Sequence, residues 1–174
     1  MKKRIHRVIF SVIPLALVCL AIFLGGNSDS EVLKALPKYE KRVYSENGGI
    51  VGDKMRYAEY RFEKIYPDQI EEYEKFQKVD LAGLTALKAY VKDYEERIDE
   101  YMQSGNSKNT QFALNCCFYS EYLDEGDYYI LETGDNDTAP EYYSIYYFDL
   151  SSKTLYYMYA DIITEIDPEP STSK

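Results

Sequence analysis

The chain has 174 residues and a mass of 20.3 kDa, which suits one folded domain with appendages and excludes a large barrel or a two-domain cofactor enzyme. It carries 20 Lys and Arg against 30 Asp and Glu, one His, three Cys, 20 Tyr and no Trp, for a formal charge of −10. Lys2, Lys3, Arg4 and Arg7 precede every acid, so the residues from 27 onward hold 16 bases against 30 acids; that excess repels phosphate backbones and argues against nucleic-acid binding.

Residues 8–28 contain no charged side chain, and Val8 to Leu24 is a nearly unbroken apolar run. About 20 such residues span the hydrocarbon core as a helix, the form that satisfies its own backbone there, and Pro14 is tolerated in such a helix. A cleaved signal peptide is the competing reading. The run is longer than a signal-peptide core, and neither Gly25 nor Gly26 follows a small-x-small site. Ala16-Leu17-Val18-Cys19 departs from a lipoprotein box at Val18, where a small residue should precede the cysteine. An uncleaved signal anchor over 8–26 is therefore expected in the lipid bilayer. The basic tip 1–7 would face the cytoplasm by the positive-inside rule, and the C-terminal domain would lie outside it.

Residues 27–52 read as a stalk or linker, with Asn27-Ser28-Asp29-Ser30 at one end and Asn47-Gly48-Gly49 at the other. The expected folded unit is 53–166, followed by a polar tail over 167–174 with no reason to fold. Met55–Tyr66 fits both a strand and a helical stripe, and its Tyr and Phe content favours strand. Pro67 should open a helix reaching about Gln77.

The clearest helix covers about 80–104. Asp80 caps it, Leu84, Leu87, Val91, Tyr94, Ile98 and Tyr101 form one apolar face, and Gly105 stops it. After it, Phe112, Leu114, Cys116 and Phe118 alternate with Ala113, Asn115, Cys117 and Tyr119, which predicts a strand. A turn at residues 124–127, a strand over Tyr128–Thr133 and a loop over Gly134–Pro140 follow. Tyr142–Asp149 and Thr154–Ile162 should pair as a hairpin around Leu150-Ser151-Ser152-Lys153. The predicted fold is α+β: a single N-terminal transmembrane helix, then one or two helices packed on an antiparallel, Tyr-rich sheet of four to five strands.

Eleven of the 20 Tyr fall between Tyr119 and Tyr159. An even-length hairpin loop sorts the last two strands into two faces. Tyr143, Ile145, Tyr147, Tyr156, Met158, Ala160 and Ile162, with the smaller aliphatic members, suit a helix-covered core. Tyr142, Ser144, Tyr146, Phe148, Leu155, Tyr157 and Tyr159 form the other face, a row of aromatics without an obvious cover. Tyr142, Tyr146, Tyr157 and Tyr159 are the candidate binding residues, for a protein, peptide or glycan partner. Tyr buries area with few rotors and ends in a hydroxyl. The plainer reading is that Tyr simply favours half-wet strands.

Several chemistries are missing. His6 lies before the apolar run, so the outer domain has no imidazole, which excludes Ser-His-Asp and Cys-His nucleophiles and histidine-ligated zinc there. The glycines build no nucleotide-binding loop. Asp135-Asn136-Asp137 with Glu141 lacks the spacing of an EF-hand and reads as a polar turn. Cys116 reads as a small core residue, whereas Cys117 is the candidate for a reactive or intermolecular thiol. No cofactor and no metal are expected. These features predict a single-pass, membrane-anchored, extracytoplasmic binding or assembly module without enzymatic activity. The alternatives are a glycan-acting enzyme working with carboxylates alone and a small membrane subunit of a larger complex.

Overall fold

A computed structural model describes residues 31–47, 54–136 and 139–161. The apolar run over 8–26 lies outside them, as do the basic tip and the C-terminal tail. Among the described residues no helix is long and apolar enough to cross a membrane. The chain divides into two units, residues 1–35 and 36–174. The described part of the first is one short helix, α1 (Glu31–Ala35).

The second unit is α+β. Its elements in chain order are β1 (Tyr39–Asn47), β2 (Met55–Phe62), α2 (Pro67–Glu71), β3 (Gln77–Lys78), α3 (Leu81–Gln103), α4 (Ser107–Asn115), a single 3-10 turn at Ser120–Tyr122, β4 (Tyr128–Asn136), β5 (Ala139–Asp149) and β6 (Thr154–Asp161). All pairings are antiparallel, and the six strands run in the order β1-β2-β6-β5-β4-β3.

α3 forms where its apolar stripe predicts. Asp80 accepts a hydrogen bond from the Gly83 N–H at 2.8 Å, and Gly105 takes the left-handed conformation (φ 67°) just beyond the last turn. Leu87, Val91, Tyr94 and Ile98 are buried against Met55, Tyr57, Tyr143, Ile145, Tyr147, Met158 and Ala160 in one core. Polar ties fix the crossing. The Tyr94 hydroxyl donates to the Arg56 carbonyl at 2.9 Å, and the Tyr143 hydroxyl donates to Asp93 Oδ2 at 2.8 Å. Asp93 also pairs with the buried Arg97, whose guanidinium reaches the Asp161 carbonyl. The β5–β6 register joins Tyr143 to Ala160, Ile145 to Met158 and Tyr146 to Tyr157. Among the described residues both predicted faces are thus assembled as the alternation implies, and the helix-covered one carries Tyr143, Ile145 and Tyr147; Ile162, assigned to that face, lies outside the described residues.

Five expectations are corrected. The sheet has six strands rather than four or five. Residues 27–52 are not simply a stalk, since 39–47 form β1, a nine-residue edge strand whose Val43 packs on the core. Phe112–Tyr119 is not a strand: Ser107–Asn115 is α4, capped by Asn106, which accepts from the Lys108 N–H at 2.9 Å. The alternation there was accidental, because Leu114 is 60% exposed while Phe112, Ala113 and Cys116 bury at helical spacing. Gly134–Pro140 is not all loop, since β4 reaches Asn136 and β5 begins at Ala139, pairing Gly134 with Tyr142 and Asn136 with Ala139. The helix expected to reach Gln77 is also shorter, ending at Glu71 because Gln77 and Lys78 are drawn into the ladder with Tyr129 and Tyr128.

Candidate functional site

The sheet face opposite α3 carries Tyr142, Tyr146, Tyr157 and Tyr159, so the four predicted residues share one surface. They sort into two pairs. The Tyr142 and Tyr159 rings stack with centroids 5.5 Å apart and planes 23° from parallel. Tyr146 and Tyr157 are direct cross-strand partners with centroids 4.7 Å apart. Gly134 makes the first pair possible. It stands opposite Tyr142 in the ladder, and a Cβ added there would lie 1.9 Å from the Tyr142 ring. The ring therefore lies over the β4 backbone where any other side chain would stand.

The neighbouring strand adds charge. Arg56, paired with Tyr159 across β2 and β6, sets its guanidinium 5.4 Å from the Tyr159 ring centroid, within cation–π range. Glu46 on β1 holds Arg56 through its Nε at 3.1 Å, takes Lys54 Nζ at 3.3 Å, and accepts the Tyr44 hydroxyl at 3.2 Å. The Tyr159 hydroxyl donates to Asp161 Oδ1 at 2.9 Å, while Asp161 Oδ2 accepts the Lys54 N–H at 3.0 Å. Burial, reinforced by the hydrogen bond to Asp161, pushes the Tyr159 phenol up to about 12. Burial and the nearby Tyr146 ring raise Tyr157, against the opposing pull of Arg56. Both phenols are therefore neutral at physiological pH and act as hydrogen-bonding, stacking groups rather than as bases.

The face is not the uncovered row that its sequence suggests. Phe148 and Leu155 are fully buried and Tyr146 is 7% exposed, whereas Tyr142, Tyr157 and Tyr159 are half-buried. Part of the cover is the segment around α2. The Tyr128 hydroxyl donates to Glu71, and Lys75 pairs with Glu132 at 3.2 Å, tying that segment across β4. Tyr146 consequently supports the other rings more than it offers itself. Arg56 and Glu46 were not legible as part of the site, because their place depends on the β1-β2-β6 register and not on any local pattern.

Cys116 is buried in the core with its Sγ 3.9 Å from the Tyr94 hydroxyl, and burial pushes its thiol up to about 12. Cys117 is exposed, and partial burial with the nearby Glu59 raises its thiol, which lowers the thiolate fraction that reactivity needs. Among the described residues no group of three or more His, Cys, Asp or Glu is placed to hold a metal ion. The loop carboxylates Asp137 and Glu141 fall outside what is described of side chains. Compared with known proteins, the chain matches no family model, no curated protein and no solved structure.

Proposed function

We propose that this chain is a single-pass, membrane-anchored module outside the cytoplasm that binds a protein or peptide partner without catalysing a reaction. The apolar run over 8–26, with bases before it and acids after it, supports the anchor and its direction. One observation carries the binding reading: half-buried Tyr142, Tyr157 and Tyr159 lie side by side with Arg56 laid on one ring. Tyr and Arg are the side chains that most often dominate binding energy at protein interfaces. They offer large, stiff contact area with a polar end. The lack of any imidazole beyond His6 supports leaving chemistry out.

Two experiments test this. Protease treatment of intact cells should remove the domain; a protected domain reverses the topology. A peptide array probed with the full-length chain should give saturable binding that Tyr159→Ala weakens by at least about tenfold, the usual effect of truncating a central aromatic. Binding unchanged by Tyr159→Ala and Tyr142→Ala would remove this face from consideration.

A further inference from the structure

A second feature lies on the other side of the sheet, at the corner where the start of β1, the end of β2 and the β5–β6 turn meet. There an open groove of about 1220 Å³ is bordered by Lys38, Arg42, Arg61, Lys64 and Lys153, with Tyr156 among its lining residues. Its charge opposes that of the chain. Five cations line it against three carboxylates, Glu40, Glu59 and Glu63, in a protein whose residues from 27 onward hold 16 bases and 30 acids. Two of those carboxylates are engaged: Glu40 pairs with Arg42 at 3.3 Å, and Glu59 accepts the Tyr57 hydroxyl at 2.7 Å. Among the described residues Lys38, Arg61, Lys64 and Lys153 have no carboxylate within ion-pair distance, and all four are exposed.

Two backbone irregularities place these cations. β1 bulges between Lys41 and Val43, so that Val43 turns to the core while Arg42, the extra residue, joins the groove. Lys153 holds a left-handed conformation, φ 55°, at the last position of the hairpin turn, where Gly or Asn is the easy choice. The turn is held firmly. Asp149 accepts the N–H and hydroxyl groups of Ser151 and Ser152, and the Lys153 carbonyl accepts the Phe62 N–H at 2.9 Å. Left-handed non-glycine residues and edge-strand bulges are both devices that re-aim side chains, and here they set Lys153 and Arg42 on the same groove.

We infer that this groove is a binding site for a linear anionic glycan, whose carboxylate, sulfate or phosphate groups meet Arg61, Lys153, Lys38 and Lys64 while a pyranose ring lies on Tyr156. The openness of the groove suits a polymer passing through rather than a small molecule enclosed. Tyr156 is half-buried, backed by Phe118 with ring centroids 4.6 Å apart, and is thereby set as a stacking platform. The assignment is independent of the tyrosine face, which lies on the opposite side of the sheet and uses none of these residues.

The test uses the full-length chain in phosphatidylcholine nanodiscs, titrated with a fluorescent heparin oligosaccharide. Binding should weaken steeply with added salt through counterion release, and the salt slope should fall by about one for each groove cation removed. Arg61→Glu should cost about tenfold or more at low salt. Lys153→Gly should weaken binding several-fold while relieving the backbone, so the loss cannot come from unfolding. Lys92→Glu, the same charge change on the exposed face of α3, should leave affinity unchanged. Equal losses in Lys92→Glu and Arg61→Glu, or unaltered binding by Arg61→Glu, would overturn the proposal. So would binding of neutral dextran as tightly as heparin. Inorganic polyphosphate bound as tightly as heparin would overturn the assignment to a glycan.

Discussion

Removing one hydroxyl, in Tyr147→Phe, should be among the costlier conservative changes in this domain. Tyr147 is fully buried, and its ring packs on Phe118. Its hydroxyl donates to Asp127 Oδ2 at 2.5 Å and accepts the Asp124 N–H at 2.8 Å, so one oxygen ties the 119–127 connection to β5. The substitution keeps the ring and opens almost no cavity; the loss is polar. A hydrogen bond to a charged partner is worth about 1.5–3 kcal/mol and a neutral one about 1, giving roughly 2–4 kcal/mol in all. The cost should also depend on pH. Burial holds the Asp127 carboxyl above the usual carboxylate range, against the lowering effect of its bonds from Tyr147 and the Leu150 N–H. A carboxyl raised in the folded state stabilises most when protonated, and that contribution is lost as pH rises through its folded pKa. Tyr147→Phe removes a lowering partner and raises it further. The deficit should therefore be full at neutral pH and shrink in mildly acidic buffer. Urea titrations of the full-length chain, followed by circular dichroism at both pH values, measure this. A deficit under about 1 kcal/mol, or one equal at both pH values, would refute the role given to Asp127.

Gly134→Ala should destabilise by about 1–3 kcal/mol, read as a lower urea midpoint, because the new methyl occupies the space of the Tyr142 ring. The same variant should weaken any partner that binds the tyrosine face, whereas heparin binding at the groove stays as it was. With Cys19 replaced by Ser, maleimide labelling of the native chain should modify the exposed Cys117, more slowly than a free thiol, and leave Cys116 untouched until unfolding; double labelling of the native chain would show that the 116–118 segment opens readily.

Much of this architecture is written in local pattern. The β5–β6 hairpin was legible because a long run of alternating residues flanks a four-residue polar turn, and an even loop fixes which side chains share a face. α3 was legible because its stripe, its Asp80 cap and its Gly105 stop agree. β1 was hidden because an exposed edge strand bearing Glu40, Lys41 and Arg42 has no buried alternation to read. α4 was hidden because four apolar residues at even spacing imitated a strand while the Asn106 cap, a short-range signal, pointed the other way. Of the site residues that escaped notice, Arg56 is brought to Tyr159 by the pairing of β2 with β6, strands about a hundred residues apart in the chain, a non-local fact that no window along the sequence contains, and Glu46 follows because β1 pairs with β2 and sets it opposite Arg56.

The bulge in β1 also bears on how copies of this protein meet. Among the described residues β1 has no strand on its outer side, and an unpaired edge of this length is the kind that invites a neighbouring chain to extend the sheet. The interruption after Lys41 divides the ladder into stretches of three and five paired residues, and Glu40, Lys41 and Arg42 sit exposed around the break. An incoming strand would lose its spacing there and could not zip past it. The same kink that delivers Arg42 to the groove thus works as a guard against runaway self-assembly, so straightening it by deleting Arg42 should trade solubility for polymer growth.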